Sequence, residues 1–338
     1  MEVTLYTSTA LFDDLKHQWN LLLRDSGADC IFLTYEWQSS WWDAYHPGEI
    51  WALAVREGGQ LVGLAPWFVQ REGKDRRVVR AIGCVDVTDY LEIIACRGLE
   101  RAVFEALAEF IATRGDDFDD IRLCNVPEAS PTAQVLPEIF EARGYTVEVT
   151  FQEVCPIITL PETFEAFIAG LDKKDRHELR RKLRRAGSDE VDWYIVSSPD
   201  ELNGELDKFL ALMAASSDEK ALFLREPENV TFFRSVVPRI AEAGWLQLAF
   251  LTVSGQPAAA YLNFDYGNRV MVYNSGHDPA AHGHLSPGII LMARVIERAI
   301  EDGRDELDFL RGDEPYKYDL GAKDTRIFQV AISLDSAA

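Results

Sequence analysis

One order of predicted elements occurs twice in this chain of 338 residues, and it limits the possible folds more than any other feature. In the first half, two apolar strands, at residues 51–55 and 61–69, flank a turn at residues 57–60, and a strand at 90–95, an amphipathic helix, a glycine and another strand follow. In the second half, a turn at residues 254–256 begins the same series about 190 residues later. Such a repeat predicts an internal duplication of one α/β unit.

The boundary between the two units is predicted at two prolines, in residues 156–161. We therefore expect an N-terminal domain at 1–158 and a C-terminal domain at 159–338. A helix from Glu162 to about Arg185 is predicted at the start of the second domain. The last segment, residues 326–334, alternates like a strand and could return to the first sheet or join the second.

Charge and hydropathy exclude some classes of partner. The sequence has 34 basic and 56 acidic residues, a net charge of -22, which opposes general nucleic-acid binding and attachment to an anionic membrane. No apolar run is long enough for a membrane span, and the first residues lack a secretory signal. The five cysteines show no metal-binding or disulfide spacing and are expected to be buried thiols. These features predict a cytoplasmic protein.

The segment Ser286-Pro287-Gly288 opens the predicted helix of the second unit. Ser is a good N-cap, Pro suits the first helical turn, and Gly lets another group approach the backbone. Free amides at a helix start favour a phosphate, although the same residues fit a helix that is merely well capped. The nearby His282 and His284 have no third ligand at metal-site spacing, so no metal is expected.

The segment Lys173–Arg185 concentrates positive charge in an otherwise acidic chain, since eight of its 13 residues are Lys or Arg. Leu179 and Leu183 are spaced for one helical stripe, which leaves a broad cationic face. This face could bind a phosphorylated or polyanionic partner, or it could be a solvated face paired with neighbouring acids.

Two further segments bring charged groups to strand ends. The run Asp308–Lys317 starts in a predicted strand at residues 307–310 and continues past its C-terminal edge, where α/β folds often have their sites. In the first unit, Asp89 precedes a predicted strand, where it could be a functional carboxylate or only a cap.

Several motifs, taken in their order along the chain, resemble one known family. They are two Trp-containing motifs, an apolar strand ending in Pro, an Asp-Tyr pair, the Arg-rich helix and a strand end with Gly and Lys: Tyr35-Glu36-Trp37, Trp41-Trp42, Leu61–Pro66, Asp89-Tyr90, Lys173–Arg185 and Arg311–Lys317. They resemble the CelD/BcsL-like branch of the GNAT acyltransferase superfamily, which is similar to the FemAB/FemX aminoacyltransferases. The resemblance implies an α/β (α+β) fold of two tandem GNAT-like units, each a mixed, mostly antiparallel sheet flanked by helices.

The resemblance also implies positions for reactive residues. In FemX-like enzymes an aromatic-Lys pair follows the last strand of the second unit at the reaction centre, and a carboxylate of the first unit faces that centre. The candidate catalytic residues are therefore Lys317, Asp89, Asp313 and Tyr316. Lys317 is predicted to stabilise an oxyanion, or else to be a surface residue paired with an acid. Acceptor-binding candidates are Arg180, Arg181, Arg184, Tyr90 and Arg311.

The activity implied is N-acyl transfer from acyl-CoA to a small or phosphorylated amine acceptor. The expected donor substrate is acyl-CoA, and its candidate contacts are Asn274, Leu285, Ser286, Pro287 and Gly288. The usual GNAT pyrophosphate loop, Gln/Arg-x-x-Gly-x-Gly/Ala, is absent and is replaced by His282–Gly288. Two alternatives therefore stay open: a transferase that uses aminoacyl-tRNA, and a GNAT-like scaffold without catalysis.

Overall fold

A computed structural model of the protein describes residues 1–73, 76–84, 87–187, 190–280 and 282–333. These residues form two units. The first consists of Met1–Glu153 together with the chain from Thr325 onwards, and the second is Val154–Asp324.

The first unit alternates strands and helices. Its elements before the linking strand are β1 (Glu2–Tyr6), α1 (Ala10–Arg24), α2 (Tyr35–Tyr45), β2 (Glu49–Ile50), β3 (Ala52–Glu57), β4 (Gln60–Ala65), β5 (Trp67–Glu72), β6 (Arg76–Ala81), β7 (Ile94–Ala95), α3 (Glu100–Ala112), β8 (Asp120–Pro127), α4 (Pro131–Gln134) and α5 (Leu136–Glu141). A short 3₁₀ helix, Ile31–Leu33, precedes α2.

The second unit follows the long strand that starts in the first. The elements, in chain order, are β9 (Thr146–Thr159), α6 (Phe164–Gly170), α7 (Lys173–Ala186), β10 (Val191–Val196), α8 (Glu205–Ser216), α9 (Asp218–Phe223), α10 (Pro227–Glu242), β11 (Leu246–Val253), β12 (Gln256–Tyr266), β13 (Arg269–His277), α11 (Pro287–Glu301), β14 (Glu306–Asp308), α12 (Pro315–Asp319) and β15 (Lys323–Ser333). A 3₁₀ helix, Gly283–Leu285, lies just before α11.

Strand pairing in the first unit follows the predicted hairpin. The order β1-β3-β4-β7 is antiparallel throughout, and a second group has the order β15-β8-β6-β5-β2. In that group β6 and β8 are parallel, whereas β8 and β15 are antiparallel. The predicted strand at 61–69 is two strands, β4 and β5, because Pro66 between them has no N–H for a strand ladder.

The second unit repeats this plan. Its strands have the order β10-β11-β12-β13-β14-β9, and only β13 and β14 are parallel. A helix lies between the two parallel strands in each unit, α3 between β6 and β8, and α11 between β13 and β14. The prediction of an α/β chain with two tandem units is therefore confirmed.

Three predicted elements differ in detail. The helix expected from Glu162 to Arg185 is two helices, α6 and α7, because Leu171 between them has extended backbone. Only Ile94–Ala95 of the strand predicted at 90–95 forms a ladder. The strand expected to reach Leu310 ends at Asp308, since Leu310 has a φ of 56° in the left-handed region.

The expectation that all five cysteines are free thiols is wrong for two of them. Cys84 and Cys124 form a disulfide, whereas Cys30, Cys96 and Cys155 are free. Cys84 follows β6 and Cys124 lies on β8. The parallel pairing of β6 and β8 brings together two residues that are 40 positions apart in sequence, which spacing alone did not predict.

Within the described part of the chain, no helix is both long enough and apolar enough to cross a bilayer.

Gly276 allows α8 to pack directly on β13. A Cβ at this position would lie 2.5 Å from the backbone nitrogen of Met213 and 2.7 Å from the carbonyl carbon of Leu212. We expect Gly276→Ala to lower the free energy of unfolding by about 1–3 kcal/mol, since backbone must move to admit the methyl group. Gly170→Ala is the control, because a Cβ there meets nothing within 4 Å. Equal urea midpoints for both variants would contradict this packing argument.

Candidate functional site

A cavity of about 440 Å³ opens in the second unit at the start of α11. We call it the α11 cavity. It lies where β13 continues beyond β14, since the parallel pairing covers only Arg269–Met271 of β13. Its walls bring together residues from β12, β13, α11 and α12, among them Tyr261, Ser275, Ser286, Pro287, Gly288 and Tyr316. Four of these were candidates from the sequence, while Tyr261 and Ser275 were not.

The start of α11 differs from a standard capped helix. Ser286 is the N-cap residue, but its backbone is left-handed, with φ 56°, and its side chain makes no capping hydrogen bond. The expectation that the Ser286 hydroxyl caps the helix is therefore wrong. Its carbonyl accepts hydrogen bonds from the amides of Ile289 and Ile290. The Ser286 side chain and the positive end of a 15-residue helix thus face the cavity.

Two tyrosines place phenol groups at the α11 cavity. Tyr261 of β12 lies opposite Ser275 of β13 in the strand register, so both side chains are on one face of the sheet. A Cβ added to Gly288 would be 3.6 Å from the Tyr261 hydroxyl, which shows how closely α11 approaches it. Burial raises the pKa of both Tyr261 and Tyr316 well above the usual range, and the Glu314 carboxylate raises both further. Both phenols are therefore neutral and can donate hydrogen bonds.

Lys317 lies on α12 beside Tyr316 but is buried, with 2% of its surface exposed. Its Nζ donates to the carbonyl oxygens of Arg311 at 2.8 Å and Gly312 at 2.9 Å, and it forms an ion pair with Glu314 at 2.8 Å. The alternative that Lys317 is a surface residue paired with an acid is therefore wrong about exposure, since the lysine is paired but buried. These partners occupy the ammonium and hold the loop before α12, so its role as an oxyanion donor stays a prediction.

The remaining candidates around this loop have different environments. Asp313 is exposed, and Arg311 is half-buried and gives its carbonyl to Lys317. Asn274 accepts a hydrogen bond from the Ser275 amide through Oδ1, at 2.8 Å. Leu285 is buried in the hydrophobic core, so its side chain contributes packing.

The basic helix α7 packs beside the α11 cavity. Leu179 on its inner face shares a hydrophobic core with Leu285, which precedes α11. On the outer face, Arg180 pairs with Glu165 at 3.1 Å, and Arg181 pairs with Glu178 at 2.6 Å. The exposed Arg184 forms no ion pair with the described residues. Both interpretations of the helix thus find support: part of its charge is neutralised, and part remains available.

Asp89 and Tyr90 belong to the first unit and are buried. The ring of Tyr90 lies 6.1 Å from that of Phe32 in an edge contact. The preceding residue, Thr88, accepts a hydrogen bond from Asn125 Nδ2 at 2.6 Å through its carbonyl. The segment is therefore fixed within its own unit, and the roles of Asp89 and Tyr90 stay predictions.

Two titratable groups were not anticipated from the sequence. Lys220 on α9 donates from Nζ to the carbonyl oxygen of Ser275 at 2.6 Å and to its Oγ at 3.2 Å. Burial lowers the pKa of Lys220, against the opposing effects of Glu314 and Glu219. In the first unit, burial raises the pKa of Glu92 to about 8, although a hydrogen bond with Ser130 acts in the opposite direction.

No local pattern marks Lys220, because its contact with Ser275 joins residues 55 positions apart. Glu92 lies close to the Asp89-Tyr90 motif, but its burial is a tertiary property. Among the residues that the structure describes, no three His, Cys, Asp or Glu side chains lie together as metal ligands.

Comparison with known proteins agrees with the tandem plan. Residues 173–318 match the family model of an acetyltransferase (GNAT) domain. That segment contains the α11 cavity, the basic helix and Lys317. No curated protein sequence matches the chain.

Solved structures resemble the whole chain. A crystal structure of FemX aligns with a TM-score of 0.68 and 11% identity over 97% of both chains. A protein of unknown function from Bacteroides thetaiotaomicron aligns with a TM-score of 0.63 and 14% identity, over 98% of this chain and 100% of that one. L-PGS from Bacillus licheniformis aligns with a TM-score of 0.57 and 9% identity, over 93% of this chain and 90% of that one. At these identities the likeness shows the fold alone.

The burial of Lys317 predicts a stabilising role that can be measured. Lys317→Met removes the donor to two carbonyls and leaves these acceptors in a place with little access to water. We expect the free energy of unfolding to fall by about 1–3 kcal/mol, because buried carbonyl oxygens lose their donor. Lys323→Met, at an exposed position, is the control. A Lys317→Met protein as stable as this control would show that the contacts contribute nothing to stability.

The raised pKa of Glu92 predicts a pH-dependent stability. The unfolded carboxyl has its ordinary pKa near 4.5 and the folded one a pKa of about 8, so the folded state binds an extra proton between these values. The stability that this extra proton adds to the folded state is fully present below about pH 4.5 and is lost as the pH rises towards 8. We expect Glu92→Gln to flatten this decline in urea titrations from pH 5 to 8.5. The exposed Glu141→Gln should keep the wild-type slope, and a parallel slope in Glu92→Gln would refute the shift.

Proposed function

We propose that the chain is a transferase that moves an acyl group from acyl-CoA to an amine acceptor, since residues 173–318 match the family model of an acetyltransferase (GNAT) domain. One observation carries the proposal. The α11 cavity combines a helix start with two neutral phenols, Tyr261 and Tyr316. Acyl-CoA needs both: a site for the phosphates of CoA and hydrogen-bond donors near the thioester carbonyl.

In this proposal, the phosphates of the donor bind at Ser286–Gly288. The partial positive charge at the start of α11 attracts anions, and Gly288 leaves room beside the backbone. The basic helix α7 packs next to this segment and supplies further positive charge, with Arg184 available on its exposed face. The acyl end of the donor then extends towards Tyr261 and Tyr316.

The chemistry begins with the acceptor. An ammonium group must lose a proton before its nitrogen can attack the thioester carbon, so the site needs a base. Glu314 is the first candidate for this base. Its side chain is 55% exposed, and its charge acts on Tyr261, Tyr316 and Lys220. Asp313, on the same loop, is the second candidate. Negative charge then develops on the carbonyl oxygen, and finally on the departing thiolate, where a neutral phenol can supply a proton.

A second candidate donor is aminoacyl-tRNA. The cationic outer face of α7 favours it, because a tRNA acceptor stem is a polyanion that such a face can bind. The net charge of -22 opposes extensive RNA contact, which is why acyl-CoA is preferred.

Thermal unfolding with donors tests the proposal. Acetyl-CoA, longer acyl-CoAs, CoA alone and charged tRNA would each be added to the full chain. A ligand at 100 times its dissociation constant adds about 2.7 kcal/mol of stability, so a true donor should raise the melting temperature clearly. Stabilisation by charged tRNA alone would favour the second candidate, and no response to any donor would contradict both.

Gly288→Val gives a sharper test of the same site. The branched side chain would fill the space between α11 and Tyr261, so we expect acyl-CoA affinity to fall at least about tenfold, or about 1.4 kcal/mol. Gly288→Ala is the matched control, because its single methyl group fits at ordinary contact distance, 3.6 Å from the Tyr261 hydroxyl. Isothermal titration calorimetry measures both. Unchanged affinity in Gly288→Val would show that the donor binds elsewhere.

A further inference from the structure

Ser275 has a side chain whose orientation is set by a lysine. It lies on β13, faces the α11 cavity, and is opposite Tyr261 in the strand register. The Lys220 ammonium donates to its Oγ at 3.2 Å and to its backbone carbonyl at 2.6 Å. Lys220 therefore donates hydrogen bonds to both oxygens of Ser275 at the cavity wall.

This arrangement leaves the hydroxyl hydrogen of Ser275 available. A hydroxyl oxygen that accepts from an ammonium cannot donate back to it, because Lys has no acceptor while it is charged. The neighbouring acceptor Asn274 Oδ1 already accepts a hydrogen bond from the backbone amide of Ser275. The remaining direction for the Ser275 O–H is the cavity that its side chain lines.

The charge of Lys220 also strengthens this donor. A hydroxyl that accepts a charge-assisted hydrogen bond becomes a better donor through its own hydrogen, because such chains polarise one another. Lys220 is half-buried, so water screens this effect less than it would at a surface. Burial lowers its pKa, while Glu314 and Glu219 favour the charged form.

We propose that the Ser275 hydroxyl is a catalytic hydrogen-bond donor to the acyl carbonyl oxygen, and that Lys220 is the positioning residue that holds it. This inference rests on the proposed acyl transfer and adds a residue to it. As the acceptor nitrogen attacks, the new N–C bond forms and the carbonyl electron pair moves to oxygen, where Ser275 stabilises it together with a neutral phenol. When the C–S bond breaks, the electron pair on oxygen re-forms the carbonyl, the sulfur leaves with the bonding pair, and the excess proton on the nitrogen passes through the phenol to the thiolate. Ser275 keeps its proton throughout and forms no covalent bond.

The test measures CoA released from acetyl-CoA with a thiol reagent, in the presence of a panel of primary amines. Ser275→Ala should lower kcat by about 100-fold, the usual effect of losing one such donor, with little change in the KM for acetyl-CoA. Ser275→Thr keeps the hydroxyl and should recover most of this loss. A melting temperature within the range of the wild type separates the effect from misfolding.

Lys220→Met should also lower kcat, but through Ser275. The double variant Lys220→Met/Ser275→Ala should therefore be no slower than Ser275→Ala, because the lysine has no hydroxyl left to position. Lys208→Met, which removes an exposed lysine paired with Glu205 on the neighbouring helix α8, is the control and should leave kcat unchanged.

Several results would overturn the proposal. Wild-type kcat in Ser275→Ala would remove the catalytic role of Ser275, and fully additive losses in the double variant would remove the positioning role of Lys220. An acetyl ester on Ser275, detected by mass spectrometry of the intact protein, would make it a nucleophile instead. If the wild type released CoA with none of the amines, the proposed function would fail and Ser275 would lose its role with it. Activity that survives Ser275→Ala would overturn only the present inference.

Discussion

The divergence of β13 from β14 is the constraint on which the α11 cavity depends. The two strands pair in parallel for only three residues before β14 ends at Asp308. The buried Asp308 carboxylate accepts a hydrogen bond from the Leu310 amide at 2.8 Å, and Leu310 itself has positive φ. The chain therefore turns away while β13 continues to His277. The gap that results is the space that α11, Tyr316 and Ser275 surround.

Lys317 stabilises the turn that follows β14 through hydrogen bonds to its carbonyl oxygens. Its ammonium joins the carbonyls of Arg311 and Gly312 to the Glu314 carboxylate, so the loop and the first turn of α12 are held as one piece. Gly312 is needed here because its φ is 109°, in the region that favours glycine. The position of Tyr316 at the cavity is thus a consequence of a buried cation one residue away.

The repeated order of elements could be predicted from the sequence because strand and helix periodicity and turn residues are local properties. Ser286-Pro287-Gly288 was found for the same reason, since a helix start has a local signature. The environment of Lys317 could not be predicted, because burial depends on what packs above a residue. Lys220 and Ser275 meet only through the packing of α9 on β13, and the disulfide of Cys84 and Cys124 only through strand pairing.

The strand β15 gives the first unit an unusual order of synthesis. It pairs with β8 from Ile327 to Ser333, yet all of Val154–Asp324 comes between the two strands in the chain. On the ribosome, β8 therefore waits with its outer edge unpaired while the whole second unit is made. The second unit can complete its own sheet first, and closure of the first is a late, long-range event of the kind that slows folding. A nascent chain stalled before Thr325 would consequently expose a strand edge that chaperones can recognise.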